Sequence, residues 1–146
     1  MNYNYTFAFE KLSTWKESRE LIKHVYANTE QYPKHENFGI ISQMRRAASS
    51  ISSNLSEGSG RSSSKDQAPF YQMAYSSNHE LLNHFYTALD LNYMKKESFD
   101  NIRNQICSLS FKINSLCKSC LSSTLPIRAS HSRDLRLQLL QLTSTT

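Results

Sequence analysis

The chain has 146 residues and a mass of 16.9 kDa, a length that fits one domain able to bury a core without disulfide or metal staples. Apolar residues make up 38%, mean hydropathy is −0.58, and no run approaches the roughly 18 unbroken apolar residues of a membrane helix. Lys and Arg number 17 against 12 Asp and Glu, a formal charge of +5, and only three glycines and three prolines are present, which argues against sandwiches, barrels and Rossmann folds with their many turns.

The opening MNYNYTFAFEKL lacks a basic segment followed by an apolar one, so no signal peptide is expected. Phe7 and Phe9 read as packing anchors before a helix predicted over 11–31, with an apolar stripe of Leu12, Trp15, Ile22, Val25 and Tyr26 and a stop at Pro33. A second helix is predicted over 37–57. Its Ile41, Met44, Ala48, Ile51 and Leu55 step by three and four, which keeps them on one face. It ends at Glu57-Gly58-Ser59-Gly60, where a glycine in the left-handed conformation is expected to close it. Its serines (42, 49, 50, 52, 53, 56) are indifferent helix formers, and they suggest close helix–helix approach.

The third helix is predicted from Asp66 as N-cap, with Pro69 in its first turn. Its seam reads Phe70, Ala74, Ser77, Leu81, His84, Ala88 and Leu91, flanked by Met73, Leu82, Phe85 and Leu89. The fourth is predicted over 96–121, with Phe99, Ile102, Ile106, Leu109, Ile113, Leu116 and Cys120 in a heptad-like seam. Four amphipathic helices with short connections predict an all-α, antiparallel up-down-up-down bundle over 1–121. Residues 122–146 form a Ser/Thr/Arg-rich tail, broken at Pro126, with leucines at 135, 137, 139, 140 and 142. These suit either a strand or a short helix, and the tail is expected to be disordered or docked.

Several motifs are tested and set aside. His79-Glu-Leu-Leu-Asn-His84 resembles a zincin motif, but its histidines are five apart rather than four, so the imidazoles diverge; His84 reads instead as a packed, hydrogen-bonded histidine. Cys117-Lys-Ser-Cys120 lies in a last helical turn, where the dipole has the wrong sign for an activated thiol. With Cys107 the cysteine count is odd, which points to a reducing cytoplasm. Gly58-Ser-Gly-Arg-Ser-Ser-Ser-Lys65 lacks the ending of a phosphate-binding loop and follows a helix rather than a strand. No nucleophile, base and orienter stand at interpretable spacing, so no enzyme, metal or cofactor is expected.

The basic residues offer another chemistry. Of Arg45 and Arg46, adjacent on a helix, one is expected on the solvent side and the other flanking the core or against a carboxylate such as Glu57 or Glu80. Arg61 and Lys65 flank hydroxyl-rich turns able to touch a phosphate backbone. Arg103, Lys112 and Lys118 are the basic residues of the fourth helix, Arg103 and Lys118 nearly sharing a side. These seven are the candidate nucleic-acid contacts. Tyr71, Tyr75 and Tyr86 are the candidate base-stacking rings.

Ser42-Gln-Met-Arg-Arg-Ala-Ala-Ser-Ser-Ile-Ser-Ser-Asn-Leu-Ser-Glu-Gly-Ser-Gly-Arg61 resembles the signature of the four-helix bundle family named after bacterial 23S rRNA intervening sequences, S-Q-[IM]-R-R-A-A-x-S-I-x-x-N-[IL]-[AS]-E-G-x-G-R. Phe9-Glu-Lys-Leu-Ser-Thr-Trp15, Tyr32-Pro33, Phe38-Gly39 and Ala88-x-x-Leu91-x-Tyr93 are similar to the family too, so the resemblance covers roughly 7–121. It implies a homopentamer. It also implies kinship with the accessory variability determinant of diversity-generating retroelements, a basic pentamer that binds a reverse transcriptase and nucleic acid. Arg45, Arg46 and Arg61 match the family's basic positions, and Asn54, Glu57 and Gly58 its helix-end motif. The expectation is a cytoplasmic, non-enzymatic scaffold that binds RNA or DNA, with a protein-interaction scaffold as the alternative.

Overall fold

The structure, a computed structural model, describes residues 4–124. A 3-10 turn, Ala8–Lys11, precedes α1 (Ser13–Thr29); a second, Lys34–Glu36, precedes α2 (Ile40–Ser59), followed by α3 (Ser64–Asp90) and α4 (Lys96–Thr124). The described residues contain no strand. The expected tail falls, beyond Thr124, outside the described residues.

Cross-helix pairs set the directions. Glu17 meets Lys112 and His24 meets Gln105 between α1 and α4. Arg46 meets Glu80 and Ser50 meets Ser77 between α2 and α3. Asn78 meets Ser110 and Tyr86 meets Arg103 between α3 and α4. In each set the partner's number falls as the first rises, so neighbours run antiparallel. Each helix packs on its two neighbours in a ring closed by α1 on α4, and the diagonal pairs do not meet.

The core is one cluster running the length of the bundle. On α4 the buried side chains are Phe99, Ile102, Ile106, Leu109, Ile113, Cys117 and Cys120, the expected seam except that Cys117 replaces the half-buried Leu116. On α2 the five expected residues are buried, joined by Ala47 and Gly58.

The other two helices are rotated from expectation. On α3 the buried face is Tyr71, Ala74, Asn78, Leu81, Phe85 and Ala88, while Leu91 and Met73 are exposed. The axis of this face is Asn78, which a hydropathy pattern discounts. Its Nδ2 donates to Ile106 O at 2.9 Å and to Ser110 Oγ at 2.7 Å, bonds that make burial of the amide tolerable. On α1 the buried residues are Thr14, Ser18, Leu21, Val25 and Thr29. The hydroxyls of Ser18 and Thr29 donate to carbonyls one turn back, Trp15 O and Tyr26 O. Trp15 and Ile22 are half-buried, and Tyr26 is exposed.

The turns depart from expectation in two places. No glycine adopts a positive φ, and Gly60 ends α2 in the right-handed region. Gly58 is needed instead for packing: a Cβ there would lie 2.8 Å from Tyr71 Cε1 and 3.0 Å from Phe70 Cβ. The N-cap of α3 is Ser63 rather than Asp66. The Asp66 amide donates to Ser63 Oγ, and that hydroxyl donates to Asp66 Oδ2 at 2.6 Å, leaving the carboxylate in the first turn, where the helix dipole favours it.

Among the described residues the left-handed one is Asn92, φ 58°, after α3. Tyr93 N–H donates to Ala88 O and Asn92 N–H to Leu89 O, the double bond of a Schellman end.

Candidate nucleic-acid interface

The seven candidate cations divide by what they touch. Arg45 stitches α2 to α1: its guanidinium lies 4.4 Å from the Tyr26 ring centre and its Nε donates to Thr29 Oγ1 at 3.0 Å. Arg46, its neighbour, reaches Glu80 at 3.3 Å and Gln43 at 2.7 Å, so Glu80 is the carboxylate partner among those considered. Lys112 is ion-paired to Glu17 in the α1–α4 groove. Arg103 faces the other way, toward α3, where its Nε donates to Tyr86 Oη at 3.3 Å; that bond stabilises the charged guanidinium further. Arg103 and Lys112 therefore occupy different grooves.

Arg61, Lys65 and Lys118 are exposed, and none meets a carboxylate at ion-pair distance among the described residues. All three stand at one end of the bundle, where α2 ends, α3 begins and α4 completes its last turns. Gln67 Nε2 donates to Arg61 O at 3.1 Å, tying the turn to α3. The Arg61 guanidinium lies 4.5 Å from the centre of the Phe70 ring, which fixes the side chain while leaving its donors to solvent. Arg61, Ser62, Lys65, Asp66, Pro69 and Phe70 line a recess of about 530 Å³. Two cations, a serine hydroxyl and a ring edge in one recess suit a phosphate with an adjoining base or sugar.

The carboxylates at this end are spoken for or few. Glu10 Oε2 accepts from the Phe7 amide at 2.6 Å and Asp66 is held by Ser63; Glu57 is exposed. Lys11, not singled out from the sequence, adds a cation. So does Arg19, whose guanidinium lies 5.0 Å from the Trp15 ring centre. Trp15 heads a ladder of rings, with Phe9 at 4.8 Å, Phe7 at 5.6 Å from Phe9, and Tyr5 at 5.0 Å from Phe7. Tyr5 and Phe7 are exposed. The alternation of rings at 5, 7 and 9 was the signal for this ladder.

The expected stacking rings fare differently. Tyr71 is buried, and burial beside Cys117 and Cys120 raises its phenol above the usual range, so it offers no platform. Tyr75 is half-buried, 4.3 Å from the His79 ring. Only Tyr86 is exposed. His79 and His84 point to different neighbours: His84 Nε2 lies 3.6 Å from Glu80 Oε1, makes no hydrogen bond, and the residue is only half-buried, which corrects the expected hydrogen-bonded core histidine. Burial raises the Cys117 and Cys120 thiols, the reverse of an activated pair. Asn54 does not cap α2 but donates to Ser50 O and Oγ one turn back.

The family model for the 23S rRNA-intervening sequence protein matches residues 10–115. Among solved structures, the chain is similar to a protein of unknown function from the S23 ribosomal protein family of Bacteroides thetaiotaomicron. The two are 19% identical with a TM-score of 0.65, over 72% of this chain and 95% of that one. That likeness is one of fold. No curated protein matches the sequence.

Proposed function

The chain belongs to the 23S rRNA-intervening sequence protein family, and from that premise we propose that it is a non-catalytic, cytoplasmic scaffold that binds nucleic acid. The observation that carries this reading is the gathering of Arg61, Lys65 and Lys118, all exposed and without ion-pair partners among the described residues, at one end of the bundle. Arg45, Arg46 and Lys112 serve mainly to join helices. Arg103, on the α3–α4 side, is a lesser contact. In this reading the protein assembles as a homopentamer. Five copies of a +5 chain repeat the basic end around an axis, and phosphate affinity grows with the number of charges neutralised. A reverse transcriptase or another RNA–protein complex is the partner it would serve.

The test is a binding titration with fluorescent single-stranded RNA, single-stranded DNA and an RNA–DNA duplex. Affinity should fall steeply between about 50 and 200 mM salt, because phosphate neutralisation releases counterions. The pair Arg61→Glu and Lys65→Glu should flatten that slope, whereas Lys112→Glu should act on stability first. No binding of any of the three at low salt overturns the reading in favour of a protein-interaction scaffold. Light scattering at micromolar protein decides the assembly separately, with a monomer removing the pentamer.

A further inference from the structure

Two apolar surfaces of the protein stand open to solvent. Between α3 and α4 a groove of about 480 Å³ is lined by Leu82, Tyr86, Ile106, Cys107 and Phe111 among others, and no lining residue is a lysine, an arginine or a carboxylate. Phe111 is 81% exposed and Tyr86 43%. The second surface is the outer end of the ring ladder, where Tyr5 is 72% exposed and Phe7 54%. Residues 4–8, Asn-Tyr-Thr-Phe-Ala, are likewise uncharged. Exposed rings with no charge among them mark the centre of an interface.

We propose that these surfaces are the two halves of one subunit contact: Tyr5 and Phe7 of one copy seat in the α3–α4 groove of the next, against Leu82, Tyr86 and Phe111. The contact rests on the ring assembly proposed for the chain and supplies its interface. Within one chain the halves do not meet. Among the described residues, the turn Ala8–Lys11 that carries the ladder packs on α1 and α2 and on no other helix, whereas the groove lies between α3 and α4. A second copy brings the halves together, and a single contact then covers both.

The level of the two halves favours a closed ring. Glu17 on α1 meets Lys112, the neighbour of Phe111, on α4. Trp15, at the root of the ladder, is two residues from Glu17, so ladder and groove stand within roughly 10 Å of one level at 1.5 Å per residue. Rotation about an axis along the bundle therefore needs little shift to bring one half to the other. A head-to-tail contact between two different patches closes into a ring when its rotation closes. Aromatic side chains bury about 150–250 Å² each, and four of them supply the anchors on which an interface depends. The contact uses none of Arg61, Lys65 and Lys118. Phe111 lies seven residues before Lys118, about two turns, so the basic end stays open. Tyr86 becomes a subunit contact rather than a base platform.

Light scattering of full-length variants, alone and mixed, tests the contact. One variant loses the ladder end (Tyr5→Ser with Phe7→Ser) and another the groove (Phe111→Glu). Phe38→Ser, at a third exposed ring, is the control. All four side chains are exposed, and unchanged helical circular dichroism confirms that each variant is folded. At micromolar concentration the native chain and the control should have the mass of five chains, and the other two variants that of one. An equimolar mixture of the ladder and groove variants should form a two-chain species, because each keeps the half the other lacks. Ladder and groove variants that both stay pentameric overturn the contact and leave the pentamer standing, whereas a monomeric native chain removes both. Loss of assembly with Phe111→Glu or Phe38→Ser but not with the ladder variant gives the groove another occupant and overturns the proposal. A mixture that remains monomeric overturns it as well.

Discussion

At the end where α1 passes to α2 and α3 to α4, one carboxylate does the joining. Glu36 Oε2 accepts from the Ile40 amide at the start of α2, and its Oε1 accepts from Tyr93 Oη after α3, at 2.9 Å. Tyr93 lies 5.6 Å, ring to ring, from Tyr32, whose hydroxyl meets Met94 Sδ at 3.5 Å. At the opposite end the carboxylates bind within their own turns, Glu10 to Phe7 and Asp66 to Ser63, and an amide, Gln67, makes the links between elements, to Arg61 O and to Cys120. There Arg61, Lys65 and Lys118 face solvent. The first end also holds Glu30, Asp90, Glu97 and Asp100, so its lysines (34, 95 and 96) are outnumbered. One end spends its polar groups on itself and the other leaves its charges available. That contrast, more than the overall charge of +5, is why the second end is the candidate interface.

The contrast can be broken in graded steps. The largest effect is expected at Gly58, where Val should destabilise the fold by about 2–3 kcal/mol because Tyr71 and Phe70 leave no room for a side chain. Gly60→Ala, two residues on in an ordinary helical conformation with its nearest neighbour at 3.5 Å, should change stability by less than about 0.5 kcal/mol. Urea unfolding measures both, and equal effects would show that the helix-end packing is not close. Next comes ligand affinity: reversing Arg61 and Lys65 should weaken RNA binding about tenfold or more at low salt. Reversing Lys95 and Lys96, at the self-paired end, should leave it nearly unchanged. If the two pairs act alike, the binding surface is not polarised.

A smaller effect is expected at Asn92. Ala there should lose about 1 kcal/mol because it must adopt φ 58°, and Gly should be neutral or better. The smallest involves pH. The Ile40 amide, first, and the Tyr93 hydroxyl hold Glu36 below the usual carboxylate range. A depressed carboxylate stabilises the fold above its unfolded pKa, and the contribution disappears as pH falls through its folded pKa. Glu36→Gln should therefore lower the melting temperature at neutral pH, and the gap to the native chain should close in acid. A gap that persists at low pH would mean the loss is steric rather than electrostatic.

The existence and order of all four helices were legible, because α2 and α4 carry long apolar stripes at strict helical spacing. The rotation of α3 was not, since Phe70, Ser77 and His84 form as good a stripe by hydropathy as Tyr71, Asn78 and Phe85. The Ile106 carbonyl and the Ser110 hydroxyl, both on another helix, decide for Asn78. The buried face of α1 was hidden for a related reason: Thr14, Ser18 and Thr29 look like surface residues until their neighbours are known. At the candidate interface the pairing of one of the two arginines with Glu80 could be anticipated. The pairing of Lys112 with Glu17 could not, as 95 residues separate them. Glu36 escaped notice because its worth lies in touching two other pieces of chain, the start of α2 and the segment after α3.

The make-up of α1 has a dynamic consequence. Of its five buried side chains three carry hydroxyls, leaving Leu21 and Val25 as the fully buried hydrocarbon it contributes, and its closure onto α4 includes two surface pairs, Glu17 with Lys112 and His24 with Gln105. Elements that bury little apolar surface open first in native-state exchange. Deuterium should therefore enter the amides of α1 well ahead of those in α2, α3 and α4, which would hold together as a three-rod hairpin while the first helix swings out and returns.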